Sequence, residues 1–307
     1  MNASNDLTIE VRRTVRTQNI RRQVAASVPI LPSVALFAIF LLGPIVYALW
    51  GSLTNRELTG SRAVSFDFIG LANYVDVLSD PLTWRSFGLT VIFILGSAVI
   101  GQNTIGMGVA LGLEEAHKPI QGLVKIAVVA AWVLPEIVAA YIMYAFFSKG
   151  GTWSSIMGGL GFSEGSWLFA YPMIAVILAN IWRGSAFSMM IYGAALSSVD
   201  PTVYEAATMD GAGWWRRTFS IALPIIKGAI ITNLMLITLQ TLASFTLIFV
   251  MTAGGPGNDT TTLPILAYQE AFKFGALGKG TAISVVLLVL GAVASVVYIK
   301  TLGHKDR

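Results

Sequence analysis

Residues 199–224 read VDPTVYEAATMDGAGWWRRTFSIALP and form most of the longest connection between apolar stretches of this chain. Asp200 can cap the free N–H groups of a helix, and Pro201 suits the first helical position because it has no N–H to satisfy. Gly211 and Gly213 then break the helix, and two tryptophans begin a second amphipathic segment. The stretch therefore predicts two short helices joined by a glycine hinge.

Uncharged stretches on both sides of this connection are long enough to cross a bilayer, which takes about 20 apolar residues. Of the 307 residues, 55% are hydrophobic and only 12% are charged, whereas a soluble domain carries about a quarter charged residues. The chain is therefore predicted to be an all-α integral membrane protein. The predicted spans lie near residues 30–50, 86–112, 126–148, 166–183, 228–251 and 280–300, with a long connection at 184–227.

Lys and Arg residues predict the orientation of these spans, because cytoplasmic loops carry an excess of both. One side carries Arg12, Arg13, Arg16, Arg21, Arg22, Lys118, Lys125, Arg183, Arg216, Arg217, Lys227, Lys300, Lys305 and Arg307. The other carries fewer than half as many, namely Arg56, Arg62, Arg85, Lys149, Lys273 and Lys279. Both termini are therefore predicted to be cytoplasmic, with a basic N-terminal segment at 1–29, a transmembrane domain at 30–303 and a tail at 304–307.

Several functions are disfavoured by composition. The absence of cysteine excludes disulfides, thiolate metal sites and cysteine nucleophiles. The net charge of +4 is explained by the basic loops, so no nucleic-acid partner is expected. Residues 275–281, GALGKGT, lack the four residues between glycines and the Ser or Thr after Lys that a phosphate loop needs. The chain is expected to be no enzyme, to hold no metal, and to depend on a separate ATPase if ATP drives it.

Glu136 is the only acid well inside a predicted span. An intramembrane carboxylate suggests a functional site, where it binds a solute hydroxyl or carries a proton. The competing explanation is that Pro135 loosens the helix and exposes backbone donors that satisfy the carboxylate locally. The residues alone leave both explanations open.

Polar residues also mark the later spans. Asn233 and Gln240 are seven residues apart and share a helix face, which Ser244 extends. For any one residue, interhelical hydrogen bonding is the competing explanation, but the stripe as a whole predicts a translocation pathway. The predicted pathway residues are Glu136, Asn180, Trp182, Asn233, Gln240 and Ser244. Gly108 and Gly112 form a spacing typical of helix packing.

The connection at 184–227 resembles a known family. The spacing of Glu205-Ala206-Ala207, Gly211 and Ile221-x-Leu223-Pro224 is similar to the EAA loop of binding-protein-dependent ABC importer permeases. In that family the loop forms coupling helices that dock on ATP-binding subunits and transmit their closure to the membrane. The resemblance implies a type I ABC importer permease fold with six transmembrane helices and cytoplasmic coupling helices. It assigns coupling to Glu205, Ala206, Ala207, Asp210, Gly211, Arg216 and Pro224.

Two further segments resemble the carbohydrate-uptake branch of this family, the maltose and glycerol-phosphate type. Residues 68–74, FIGLANY, are similar to its F-x-G-L-x-N-Y signature, and residues 252–272 resemble its T-x-G-G-P … Y-x-x-A-F segment. The resemblance places both segments on the outer side, where a solute-binding protein would dock. The expected contact residues are Asn73, Tyr74, Gly254, Gly255 and Pro256.

The resemblance also implies the partners. These are a second permease, expected to be a paralogue, two ATP-binding subunits that hold ATP and Mg²⁺, an extracytoplasmic solute-binding protein, and the lipid of the plasma (inner) membrane. The first alternative is a secondary transporter or channel, which should show inverted repeats or paired intramembrane charges. The second is a membrane enzyme, which needs a clustered catalytic site that two histidines do not supply. Neither alternative explains residues 199–224.

Overall fold

A computed structural model of the protein describes residues 31–161 and 165–303. The predicted N-terminal segment at 1–29 and the predicted tail at 304–307 lie outside the described residues.

The chain divides into two compact units, Met1–Gly51 and Ser52–Arg307. The first contains helix α1, Leu31–Gly51, which includes a π-helical turn at Ala38–Leu42. The described helices of the second unit are α2 (Ala72–Ser79), α3 (Pro81–Glu115), α4 (Lys118–Val133), α5 (Glu136–Phe147), α6 (Thr152–Gly159), α7 (Trp167–Ala170), α8 (Pro172–Ser197), α9 (Pro201–Met209), α10 (Trp214–Ile225), α11 (Lys227–Leu242), α12 (Thr246–Thr252), α13 (Leu263–Tyr268) and α14 (Leu277–Gly303).

Four of these helices, α1, α3, α8 and α14, are each long and apolar enough to cross a membrane. Two further candidate spans are bent. Helix α4 meets the segment Glu136–Gly159 at 105°, and α10 meets α11 at 70°. Counting each bent pair as one span gives six among the described residues, as the predicted fold class requires.

The span predicted near 126–148 is not one straight helix. Helix α4 begins earlier, at Lys118, and ends at Val133, and α5 begins at Glu136. Leu134 and Pro135 between them are extended, with ψ of 137° at both. Proline removes a helical N–H and disfavours the helical conformation of the residue before it, so the break falls where the sequence has its proline.

The span predicted near 228–251 is also interrupted. Helix α11 ends at Leu242, and α12 begins at Thr246. No proline marks this break, and the apolar pattern continues through it. Hydropathy therefore does not reveal the interruption.

The span predicted near 166–183 differs most in extent. Helix α8 begins at Pro172 and continues to Ser197, because no proline or charged residue follows Arg183 before that point. The connection predicted at 184–227 therefore begins only after Ser197.

Close packing of α3 against α8 depends on a glycine. A Cβ atom on Gly106 would lie 2.4 Å from the Cβ of Ser188 and 2.9 Å from the backbone nitrogen of Met189. The predicted packing residues Gly108 and Gly112 instead face open space, with nothing within 4 Å of an added Cβ. Gly106, and not Gly108 or Gly112 as the spacing predicts, therefore allows the close approach of α3 to α8.

Candidate functional site

Helix α9 opens the 199–224 loop with the predicted cap. The Asp200 carboxylate accepts hydrogen bonds from the backbone N–H of Thr202 at 2.9 Å and from its hydroxyl at 2.8 Å. These bonds favour the ionised carboxylate and so lower the pKa of Asp200. Pro201 occupies the first turn, as its missing N–H predicts.

The end of α9 is a Schellman motif. The N–H of Ala212 donates to the carbonyl of Ala207 at 2.9 Å, and the N–H of Gly211 donates to the carbonyl of Thr208 at 3.0 Å. Gly211 has a φ of +74°, in the left-handed region that favours glycine. Gly213 has a φ of −68°, so only the first of the two predicted hinge glycines is required by the backbone.

Most of the predicted coupling residues are exposed at the surface of the described structure. Ala207 is buried, and the others are exposed: Glu205, Ala206, Asp210, Gly211, Arg216 and Pro224. Two large apolar side chains of this loop that are not among the predicted coupling residues are also exposed, Met209 (88% exposed) and Trp215 (70% exposed). Apolar side chains this exposed at a helix end and the next helix start are typical of a surface that another protein covers.

The loop is also attached to the rest of the unit. A guanidinium nitrogen of Arg217 in α10 donates to the hydroxyl of Thr208 in α9 at 3.3 Å. Tyr204 packs against the apolar cluster that includes Leu196 and Ala222. Burial raises the pKa of the Tyr204 hydroxyl. The two short helices are therefore joined to each other and to the end of α8.

Glu136 joins the two helix breaks. One of its carboxylate oxygens accepts hydrogen bonds from the backbone N–H of Leu247 at 3.3 Å and from the Ser244 hydroxyl at 3.5 Å. Glu136 follows the break between α4 and α5, and the two donors flank the start of α12. Two predicted pathway residues, Glu136 and Ser244, are thereby brought together, and both remain partly accessible.

Asn180 and Asn233 are buried between helices. The Asn180 amide donates to the hydroxyls of Ser97 at 2.8 Å and Thr241 at 3.4 Å. The two N–H groups of the Asn233 amide are shared among three oxygens, those of Asn103 at 3.1 Å, Ser188 at 3.0 Å and Tyr192 at 2.9 Å. Both side chains therefore make the interhelical hydrogen bonds that were the competing explanation.

Gln240 and Trp182 are exposed. The spacing of Asn233 and Gln240 does place them on the same face of α11. The most buried side of that helix runs through Ile237 and Thr241, so this face lies at its edge. Asn233 is buried because residues of α3 and α8 contact it, whereas Gln240 remains exposed. The six predicted pathway residues thus divide into an accessible group (Glu136, Trp182, Gln240, Ser244) and a buried group (Asn180, Asn233).

Sequence reasoning missed the partners that α3 contributes. Residues Ile94–Gln102 form a π-helical segment, and the amide of Asn103 donates to the carbonyls of Ala98 at 2.8 Å and Val99 at 3.3 Å. Tyr192 donates to the Asn103 carbonyl oxygen. Segments of this kind are frequent at functional sites. The signal in the sequence is the run Gln102-Asn103-Thr104 inside an uncharged stretch.

Asn73 and Tyr74 hold the segment that follows α1. The Asn73 amide donates to the carbonyls of Ser52 and Thr54, both at 2.8 Å. Tyr74 and Ser52 share a hydrogen bond between their hydroxyls at 2.7 Å. These two predicted contact residues are therefore only partly exposed and anchor the chain within the second unit.

Gly254 lies in a compact turn between α12 and α13. It has a φ of +92°, and an added Cβ would lie 2.6 Å from the Thr261 hydroxyl, so the turn requires glycine. The Thr261 hydroxyl donates to the Gly254 carbonyl at 2.9 Å, and the Thr260 hydroxyl donates to the Gly255 carbonyl at 3.0 Å. The Gly255–Pro256 peptide is cis. Gly254 is buried, and Gly255 and Pro256 are partly exposed.

Charged contacts connect this turn and α2 to the neighbouring helices. Arg85 at the start of α3 pairs with Asp259 at 2.6 Å. Lys279 at the start of α14 lies 3.1 Å from Asp76 and 3.7 Å from each of Asp80 and Glu270. Burial raises the pKa of Glu270, and the charge of Lys279 opposes that rise.

Comparison with known proteins gives one family over most of the described helices. Residues 102–299 match the binding-protein-dependent transport system inner membrane component family. The chain is 31% identical to a sulfoquinovosyl glycerol transport system permease protein of Agrobacterium fabrum, over 97% of this chain and 96% of that protein. It is 33% identical to a trehalose/maltose transport system permease protein of Thermococcus litoralis, over 88% of this chain and 91% of that protein.

A solved structure shares the fold. The chain aligns with a TM-score of 0.78 and 21% identity to a chain of a bacterial alginate ABC transporter in complex with an alginate pentasaccharide-bound periplasmic protein. The alignment covers 92% of this chain and 94% of that one.

Proposed function

Because the chain belongs to the family of binding-protein-dependent transport system inner membrane components and is a permease subunit of an ABC importer, we propose that it carries a sugar or a sugar-like solute. One observation carries the choice of solute. Relatives that match almost the whole chain are permeases for sulfoquinovosyl glycerol and for trehalose or maltose.

The pathway for this solute uses the accessible polar side chains. Gln240, Ser244 and Glu136 are exposed or partly exposed near the point where α11 breaks. A primary amide facing lipid leaves its hydrogen-bonding groups unsatisfied, so a second permease subunit and a water-filled pathway between the two subunits supply the cover. Amides and carboxylates bind sugar hydroxyls, and the exposed Trp182 offers an apolar ring face for the C–H side of a sugar.

The 199–224 loop is the contact with the ATPase. Its exposed residues include Glu205, Asp210 and Arg216, together with the apolar side chains of Met209 and Trp215. Two ATP-binding subunits, which hold ATP and Mg²⁺, dock on this surface and on its counterpart in the second permease. Both termini then face the cytoplasm, and an extracytoplasmic solute-binding protein delivers the sugar to the opposite side, where α2 and the turn at 252–262 lie.

Uptake by proteoliposomes tests this proposal. The chain, its partner permease and the ATP-binding subunits are reconstituted with ATP inside, and the solute-binding protein is added outside with a panel of labelled sugars. We expect uptake of one sugar class that requires both ATP and the binding protein. Uptake driven by an ion gradient without ATP would instead support a secondary transporter.

A further inference from the structure

A polar cavity separates the end of α3 from the 199–224 loop. It has a volume of about 350 Å³ and is lined by side chains from three elements. Glu114 lies in the last turn of α3, Tyr204 comes from α9, and Arg217 comes from α10. This cavity is therefore the place where the loop and a membrane-spanning helix face each other through charged groups.

Two donors at this cavity lack acceptors among the described residues. The Nε of Arg217 and the hydroxyl of Tyr204 are shielded from solvent without a hydrogen-bond partner, although another guanidinium nitrogen of Arg217 donates to Thr208. Arginine stays charged in proteins, and a shielded donor without an acceptor is unfavourable. The only carboxylates in the cavity lining are Glu114 and Glu115.

Glu114 is the one of these two carboxylates whose charge acts on Tyr204. After burial, the negative charge of Glu114 is the next cause that raises the pKa of Tyr204, and the charge of Arg217 opposes it. Glu114 also borders a larger cleft of about 530 Å³ between α3, α4 and α8, where Lys125 is the other charged residue in the lining. Glu114 therefore borders both the cavity that Arg217 lines and the cleft that Lys125 lines.

We propose that Glu114 is a positioning residue that attaches the 199–224 loop to α3 through Arg217 and Tyr204, so that displacement of the loop moves α3. The proposal rests on the function proposed above, since it concerns how the ATPase contact reaches the membrane. As the cavity narrows, the Glu114 carboxylate accepts hydrogen bonds from the Nε of Arg217 and the hydroxyl of Tyr204. The hydrogen bond from Arg217 to Thr208 connects α10 to α9. The competing basic residue for Glu114 is Lys125, which lines the larger cleft.

Charge exchange tests the pair. The reconstituted importer is prepared with Glu114→Arg, Arg217→Glu and the double exchange, and the measurement is sugar-stimulated ATP hydrolysis together with the sugar transported per ATP. We expect each single variant to lower stimulation at least about 5-fold, in the range of ordinary coupling energies, and the double exchange to recover at least half of it. Glu114→Gln gives a milder loss and serves if the reversal does not assemble.

Two further variants separate the explanations. Lys118→Gln changes an exposed charge at the start of α4 that lines neither cavity, and it should leave stimulation unchanged. Lys125→Gln should also have little effect. If Lys125→Gln reproduces the loss and the double exchange restores nothing, Glu114 acts through Lys125 and the proposal is overturned.

Crosslinking gives an independent reading, because the chain has no cysteine of its own. Cysteines placed at Leu111 and Thr218, which line the same cavity and leave Glu114 and Arg217 in place, should crosslink to an extent that changes when ATP is added, whereas an equal yield with and without ATP contradicts the proposal. Failure of the wild-type complex to show any sugar-stimulated hydrolysis would count against the proposed function itself. Normal stimulation in the wild type and in every variant would overturn only the role of Glu114.

Discussion

The carboxylate of Glu136 accepts a hydrogen bond from the backbone N–H of Leu247 at 3.3 Å, which joins the break at 134–135 to the break at 243–245. Helix α5 begins at Glu136, and Leu247 is the second residue of α12. An N–H at a helix start has no partner within the helix, and in lipid each such group needs one. Glu136, at the start of α5, therefore also supplies the acceptor that the start of α12 needs.

Replacing Glu136 with leucine should disrupt this region. The Leu247 N–H would lose its acceptor, at a cost of about 1.5–3 kcal/mol for a hydrogen bond to a charged group. We expect Glu136→Leu to lower both the melting temperature of the purified complex and the rate of sugar uptake. Glu136→Gln keeps an acceptor oxygen and should retain most of both. Equal loss in the two variants would show that the negative charge, and not the hydrogen bond, is what matters.

Asn233 and Gln240 should respond to substitution in opposite ways. Asn233 is fully buried, and its amide nitrogen lies within hydrogen-bonding distance of three side chains of α3 and α8, so Asn233→Leu should destabilise the protein by about 1–3 kcal/mol. Gln240 is exposed, so Gln240→Leu should leave the melting temperature unchanged and reduce uptake. A lowered melting temperature in the Gln240 variant, or unchanged stability in the Asn233 variant, would contradict the division of the stripe.

Gly106 and Gly108 form a matched pair in α3. Gly106→Ala places a Cβ within 3.0 Å of backbone atoms of α8, and overpacking of this kind costs about 1–3 kcal/mol. Gly108→Ala meets open space and should be neutral. Thermal unfolding of the two variants in detergent tests the difference, which would vanish if α3 and α8 can separate without cost.

Lys279 should contribute most to the thermal stability of the protein at about neutral pH. Burial raises the pKa of Glu270, so the folded state binds this proton more tightly than the unfolded state does. Stability is then lost as pH rises from the ordinary value through the raised one. Lys279 opposes the rise, so Lys279→Met should lower the melting temperature more at about pH 7 than at about pH 5. Equal deficits at both pH values would contradict this assignment.

The sequence predicts the helices of this protein better than their interruptions. Composition and charge-free stretches indicate the six apolar spans, and Pro135 indicates one break. The second break, after Leu242, is followed by an N–H that donates to Glu136, more than a hundred residues away in the chain, and no local pattern predicts it. The sequence also predicts too short an α8, because Arg183 ends the uncharged stretch although the helix continues past it to Ser197.

The candidate site shows the same division. The cap at Asp200 and the left-handed Gly211 follow from local chemistry, so the sequence predicts them. Asn180 and Asn233 are buried where α3 supplies polar partners for them, Ser97 for Asn180 and Asn103 for Asn233. Ser97 lies in a π-helical segment and Asn103 directly follows it, and no spacing rule identifies that segment. Contacts between helices far apart in the chain therefore limit what the sequence alone can assign.

The most direct test of the account is sugar-stimulated ATP hydrolysis by the reconstituted importer with Gly211→Ala and its matched control Gly213→Ala. Alanine at 211 must adopt a φ near +74°, at a cost of about 1–2 kcal/mol, whereas Gly213 has an ordinary φ and open space around it. If the 199–224 loop couples the ATPase to the membrane, Gly211→Ala reduces stimulation several-fold and Gly213→Ala does not. Stimulation and uptake that are equal in wild type and both variants would contradict the coupling role of this loop.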